Sequence, residues 1–215
     1  MVDPRTLRVC VVTSGEYGAG RDHRALARAA ISGGATAVQL RAPELDDVAL
    51  LTIAAELAIA CRDAGVLFIV NDQMDVALES GAAGAHVGQA DDPESARRRL
   101  GTDRVLGVSV GNASEAVAGE RAGADYLGVT VWSTPTKPEA EPRGLDGLSE
   151  VVDATVLPVV GIGGIDAENT GLVLGAGAVG VAVISAVASA DDPVAATRSL
   201  VDAVERFRTA PGVAR

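Results

Sequence analysis

Gly34-Ala35-Thr36-Ala37-Val38 recurs as Gly81-Ala82-Ala83-Gly84-Ala85, again as Gly123-Ala124-Asp125-Tyr126-Leu127, and finally as Gly175-Ala176-Gly177-Ala178-Val179. Each copy follows a stretch with helical spacing and leads into a short apolar run. A glycine in this place stops a helix, because it adopts the left-handed conformation that closes the last turn. Four copies predict one structural unit used four times. With the apolar runs between the copies, the chain offers eight candidate strands: Leu7–Thr13, Thr36–Arg41, Leu67–Asn71, Gly84–Gly88, Val105–Ser109, Asp125–Thr130, Thr155–Gly161 and Ala178–Ile184. Helical stretches fall between them, at Asp22–Ser32, Leu45–Ala64, Gln73–Ser80, Asp92–Leu100, Ala113–Ala122, Leu145–Val151 and Ala167–Leu174. A last one spans Pro193–Phe207. Strict alternation predicts parallel strands joined by crossover helices. Eight such units predict one domain over residues 1–215, an α/β chain closed into a (β/α)8 TIM barrel. An open doubly wound sheet would also alternate. However, Ser14-Gly15-Glu16-Tyr17-Gly18-Ala19-Gly20, after the first strand, lacks the G-x-G-x-x-G spacing of that fold.

Composition narrows the function. The 215 residues are 48% apolar, which excludes a disordered chain. Only 2% are aromatic, so the core is built from small branched side chains that suit tightly layered parallel strands. Eighteen basic against 29 acidic residues give a net charge of −11, the wrong balance for a nucleic-acid binder. No run approaches the roughly 20 apolar residues of a membrane span. Met1-Val2-Asp3-Pro4-Arg5 has no signal-peptide pattern, so a cytoplasmic protein is expected. Cys10 and Cys61 are too few for a disulfide framework and read as buried free thiols.

In such barrels chemistry sits where strands end. Those positions carry Gln39 and Arg41, Asn71 and Asp72, then His86, Gln89 and Asp91, and Ser109. Thr134, Thr136 and Lys137 follow, with Gly161-Ile162-Gly163-Gly164 and Ile184-Ser185 at the last two strands. Asp72 and Asp91 are hard oxygen donors of the kind that suits Mg²⁺; each reads equally as a helix N-cap. The glycine turn before a helix suits a phosphate, or is a tight turn without a ligand. Arg41 suits an anion, or a salt bridge to a neighbour such as Asp72. His86 reads as a structural strand-end histidine, and His23, on a helix, as solvent-exposed. The irregular stretch Val131–Gly144, with three prolines, is long enough to expect a functional loop. No Ser–His–Asp or Cys–His set appears. The inventory points to electrostatic catalysis on phosphorylated substrates with a metal.

Val38-Gln39-Leu40-Arg41, Val70-Asn71-Asp72, His86-Val87-Gly88-Gln89-Ala90-Asp91, Gly107-Val108-Ser109, Thr134-Pro135-Thr136-Lys137-Pro138, Gly161-Ile162-Gly163-Gly164-Ile165 and Val183-Ile184-Ser185 occur in this order at strand ends. Together they resemble the thiamine phosphate synthase family, over about Val11 to Ala203. The resemblance implies a transferase. It would couple 4-amino-2-methyl-5-(diphosphooxymethyl)pyrimidine with 4-methyl-5-(2-phosphooxyethyl)thiazole, releasing diphosphate through a pyrimidine methylene cation. It further implies Mg²⁺ on Asp72 and Asp91, and pyrimidine diphosphate on Gln39, Arg41, Asn71, Ser109 and Lys137. Thiazole phosphate would lie on Thr134, Thr136, Gly164, Ile184 and Ser185. Arg41, Ser109 and Lys137 would be the catalytic contacts; small molecules would be the partners, within a homodimer.

Four positions depart from the family pattern. Pro43 stands where the family carries a lysine, Gln73 replaces an arginine, Ser14 an aspartate and Gly111 a histidine. Arg21 and Arg24 are the nearby cations that could compensate. A thiazole tautomerase would need the histidine that Gly111 replaces and would lack Thr134 to Lys137. Pro43 and Gln73 keep open the reading of a binding-only relative, and a sugar-phosphate isomerase would need an acid–base pair that is not found.

Overall fold

The computed structural model describes residues 2–136, 138 and 140–210. Eight strands, β1 (Val9–Val12), β2 (Ala37–Leu40), β3 (Leu67–Asn71), β4 (Gly84–Val87), β5 (Val105–Ser109), β6 (Tyr126–Thr130), β7 (Val159–Ile162) and β8 (Gly180–Val183), pair in chain order. All pairs are parallel, and β8 closes on β1 through Val9↔Val181, Cys10↔Ala182 and Val11↔Val183. The helices outside are α1 (His23–Gly33), α2 (Asp47–Ala64), α3 (Met74–Glu79), α4 (Pro93–Leu100), α5 (Ala113–Arg121), α6 (Gly144–Asp153), α7 (Thr170–Gly175), α8 (Ser185–Ala188) and α9 (Pro193–Thr209). The expected (β/α)8 barrel is present. No helix among the described residues is long and apolar enough to cross a membrane.

Local chemistry explains the boundaries. Asp22, Asp46, Asp92, Asn112 and Asp192 each accept a backbone N–H in the first turn of the helix they precede, satisfying a donor with no partner inside the helix. The repeated glycines close helices as expected in three copies, where Gly34, Gly81 and Gly123 have φ of 92°, 80° and 88°. In the fourth copy the left-handed residue is Gly177, at 100°, and Gly175 is still helical. The seventh strand starts later than the sequence pattern expects. Thr155 and the backbone N–H of Val156 bond the Glu120 carboxylate instead of a neighbouring strand, and Pro158 has no N–H to give a ladder. Leu7 ends a 3-10 turn, Pro4–Leu7, capped by Asp3. Strand eight is shorter than expected because a one-turn helix begins at Ser185.

The closed sheet separates two apolar regions. Outside it, the helices bury most of the aliphatic side chains against the strands. Inside, Val2, Leu7, Cys10, Val12, Ala37, Tyr126, Val160 and Ala182 fill the lower barrel. Cys10 and Cys61 are buried free thiols, and burial pushes both up to about 12.

His23 is buried, not solvent-exposed. It is the first residue of α1 and points under the loop after β2. Its Nδ1 lies 2.8 Å from Thr13 Oγ1 and its Nε2 2.8 Å from Glu44 Oε1. Sequence spacing put it on a helix but could not show that the loop folds over it. Partial burial raises the Glu44 carboxyl, but its own backbone N–H, His23 and Arg41 outweigh this and leave it below its ordinary value.

Two predictions follow from these contacts. Gly34→Ala forces a side chain into the left-handed region at about 1–2 kcal/mol, lowering Tm by roughly 2–8 °C for a chain of this size. Gly171→Ala, inside α7 with no atom within 4 Å of the new Cβ, leaves Tm unchanged or higher; equal losses in the two variants would contradict the assignment. A carboxyl held below its ordinary value stabilises the fold above that value and loses the contribution as pH falls through the lowered one. Glu44→Gln therefore lowers Tm at neutral pH, and the gap to the parent closes in thermal melts taken progressively below the ordinary value of 4.5.

Candidate active site

Because all strands run the same way, their C-terminal ends form one rim. A cavity of about 360 Å³ opens there and reaches down the barrel to Cys10 and Tyr126. Gln39, Arg41, Asn71, Ser109, Thr134, Thr136, Gly164, Ile184 and Ser185 all line it. Residues from six strand ends, far apart in sequence, thus face one space. Lys137 lies outside the described residues. Val12, Ile69, Val160 and Ile162 make the apolar part of the wall.

Asp72 and Asp91 follow β3 and β4. Asp72 has φ of 60°, a left-handed conformation that is uncommon outside glycine; strain of this kind concentrates at functional sites. Its N–H donates to the His86 carbonyl at 2.8 Å, tying the ends of β3 and β4, and its Oδ2 accepts from Asn71 Nδ2 at 2.6 Å. Asp91 Oδ2 accepts the Gly88 N–H at 2.7 Å. Neither carboxylate is a helix cap. Gln73 precedes α3 without a side-chain cap, and Asp92 caps α4. Among the described residues no three acidic, His or Cys side chains cluster as a metal site.

On the opposite side, Gly163 and Gly164 are consecutive left-handed residues with φ of 91° and 65°. Their backbone approaches Trp132 so closely that a Cβ on Gly163 would stand 2.6 Å from the Trp132 carbonyl oxygen. Thr134 and Thr136 share a hydroxyl contact of 2.9 Å. The Tyr17 hydroxyl donates to the Pro135 carbonyl at 2.8 Å, so the loop after β1 anchors the long loop after β6.

The cavity floor holds a hydrogen-bonded series. Tyr126 Oη lies 3.0 Å from His86 Nδ1, and His86 Nε2 lies 2.9 Å from Ser109 Oγ. Glycine is required between them: a Cβ on Gly107 would stand 2.3 Å from Tyr126 Cζ and 2.4 Å from His86 Nδ1. Tyr126 was missed in the strand-end survey because it starts its strand. The available signal was its type, one of two tyrosines in a chain almost without aromatics.

The suggested compensating cations face elsewhere. Arg21 donates to the Asp191 carbonyl at 2.8 Å, and Arg24 pairs with Glu56 at 2.6 Å on the outer surface. Arg143 instead covers the end of β5. Its Nη2 and Nε come within 2.6 and 2.8 Å of where a Gly111 Cβ would be, while Glu141 holds it at 2.8 Å. Any side chain at position 111 would therefore meet a guanidinium.

A family model described as thiamine monophosphate synthase matches residues 9–187. A thiamine-phosphate synthase of Chloroflexus aurantiacus is 49% identical over 195 residues, 90% of each chain. One from Moorella thermoacetica is 47% identical over 201 residues, 92% of this chain and 96% of the relative. The solved thiamine phosphate pyrophosphorylase from Pyrococcus furiosus superposes with a TM-score of 0.88 at 36% identity, covering 95% of this chain and 98% of that one. With a family model over residues 9–187 and relatives 47–49% identical along 90–92% of its length, the chain belongs to the thiamine monophosphate synthase family.

Proposed function

We propose that the chain is a transferase that joins the pyrimidine diphosphate to the thiazole phosphate, giving thiamine phosphate and diphosphate. The observation that carries this reading is one cavity with an anion-binding group on each side. Arg41, beside β3 and its Asp72, suits a diphosphate. The Gly163-Gly164 turn and Ser185, across the cavity, suit a phosphate. A polar floor and apolar walls between them suit two aromatic rings.

The bond changes balance without a redox partner. The C–O bond between the pyrimidine methylene and the diphosphate breaks, and its electron pair leaves on the diphosphate. The thiazole nitrogen lone pair then forms the new C–N bond, and the positive charge ends on the thiazolium ring. Arg41 would take up charge developing on the leaving group. Gln39, Asn71 and Ser109 would orient the pyrimidine. Thr134, Thr136, Gly164, Ile184 and Ser185 would hold the thiazole phosphate. Val12, Ile69 and Ile162 would exclude water, so that nitrogen captures the cation. Lys137, outside the described residues, is assigned to the diphosphate by family resemblance alone.

Asp72 and Asp91, which follow the adjacent strands β3 and β4, would hold Mg²⁺: hard carboxylate oxygens suit an ion that keeps several waters and binds phosphate oxygens. When bound, Mg²⁺ would neutralise the leaving diphosphate. The same reading includes a cytoplasmic location and a homodimer.

A second reading, binding without turnover, is favoured by Pro43 and Gln73, which remove two family cations. The assay that separates the two mixes the protein with both substrates in Mg²⁺ or EDTA. We expect Mg²⁺-dependent diphosphate release matched mole for mole by thiamine phosphate. We also expect Arg41→Ala to lower kcat/KM by about 10²–10³. Binding of both substrates with no product would select the second reading.

A further inference from the structure

The loop after β1, residues 14–22, is bonded to two separate parts of the rim. It is first folded on itself: the Tyr17 N–H donates to Ser14 Oγ at 3.4 Å, and the Arg21 N–H to the Gly18 carbonyl at 2.9 Å. On one side, Ser189 Oγ donates to the Tyr17 carbonyl at 3.1 Å, and Arg21 Nη2 to the Asp191 carbonyl at 2.8 Å. Ser189 is one turn beyond Ser185, and its own N–H donates to the Ser185 carbonyl at 3.0 Å. On the other side, the Tyr17 hydroxyl donates to the Pro135 carbonyl at 2.8 Å. In the ring, β1 and β6 are separated by β7 and β8. The loop therefore joins the segment of Ser185 to the segment of Thr134 and Thr136, and all three residues line the cavity. Tyr17 does not.

The Tyr17 bond falls where one contact has leverage. The Pro135 ring fixes its own φ and restricts Thr134 before it to extended conformations. What remains free is ψ of Pro135, which turns the peptide between Pro135 and Thr136. The Pro135 carbonyl lies in that peptide plane, so a hydrogen bond to it sets the direction of the plane. The Thr136 N–H, on the opposite edge of the same peptide, then meets Thr134 Oγ1 at 3.4 Å, and the two hydroxyls lie 2.9 Å apart. We propose that Tyr17 is a positioning residue: its hydroxyl, with the loop held from the Ser189 side, aims Thr134 and Thr136 and so raises the affinity of the cavity for a phosphate monoester that Tyr17 does not touch. This rests on the proposed function for placing the phosphate at Thr134, Thr136 and Ser185. Phenylalanine at position 17 keeps the ring but lets that peptide turn, and binding must then order it again.

The test compares the thiazole phosphate with the same thiazole carrying a free hydroxyl, in calorimetric titrations with Mg²⁺ and inorganic diphosphate present. We expect the parent protein to prefer the phosphate. Tyr17→Phe lowers that preference about three- to tenfold, the range of one lost hydrogen bond, and binds the hydroxyl form as before. In the coupling assay the same variant raises KM for the thiazole phosphate and leaves KM for the pyrimidine diphosphate unchanged. Ser189→Ala, which releases the other end of the loop, moves the preference in the same direction and decides the question if Tyr17→Phe does not fold. In a Thr134→Ala, Thr136→Ala background the hydroxyls that Tyr17 aims are gone, and Tyr17→Phe has no further effect. An unchanged preference in folded Tyr17→Phe would overturn the inference. A full additional loss in the double-threonine background would also overturn it, because Tyr17 would then touch the phosphate itself. A parent protein that binds both thiazoles equally would overturn the proposed phosphate side together with the inference, whereas one that prefers the phosphate but forms no product contradicts the proposed function alone.

Discussion

The pairing of β8 with β1 is the constraint on which the site depends. Three parallel partners, Val9 with Val181, Cys10 with Ala182 and Val11 with Val183, turn a sheet into a closed ring. Closure removes both sheet edges and brings Arg41, Asn71, Ser109, Gly164 and Ser185 around one opening. It also fixes the interior width. An eight-stranded barrel has room for side chains and little else, so depth must come from small residues. Here Ala37, Gly128 and Ala182 leave that space, and the cavity descends to Cys10 and Tyr126.

Electrostatics sets the second requirement. A chain of net charge −11 repels polyanions at long range. Under the proposed function, binding would therefore rest on local features: the Arg41 guanidinium, the backbone of the Gly163-Gly164 turn and a cation held by carboxylates. Arg143, beside Gly111 at the end of β5, is a further local cation at the rim.

Much of the fold was legible because its signals are local. Parallel strands buried on both faces read as short β-branched runs, and glycine after a helix marks the entry to each even strand. The strand ends were legible for the same reason, since polar residues that interrupt apolar runs stand out. The misreadings are of another kind. His23 looked exposed because helical spacing does not reveal that Glu44, 21 residues later, closes over it. Strand seven looked longer because Glu120, on a preceding helix, takes the hydrogen bonds that Thr155 and Val156 would otherwise offer. Tyr126 escaped because its contacts, Gly107 on β5 and His86 on β4, come from other strands. In each case a contact distant in sequence overrides a local pattern.

The central claim is that one cavity holds two anions on opposite sides of a polar floor. A crystal structure of the protein with Mg²⁺, inorganic diphosphate and the thiazole phosphate tests it most directly. The account predicts diphosphate and metal density at Arg41, Asp72 and Asp91, and a separate phosphate at Gly164 and Ser185, with the thiazole ring between. Both anions on the same side, or density away from these residues, would contradict it.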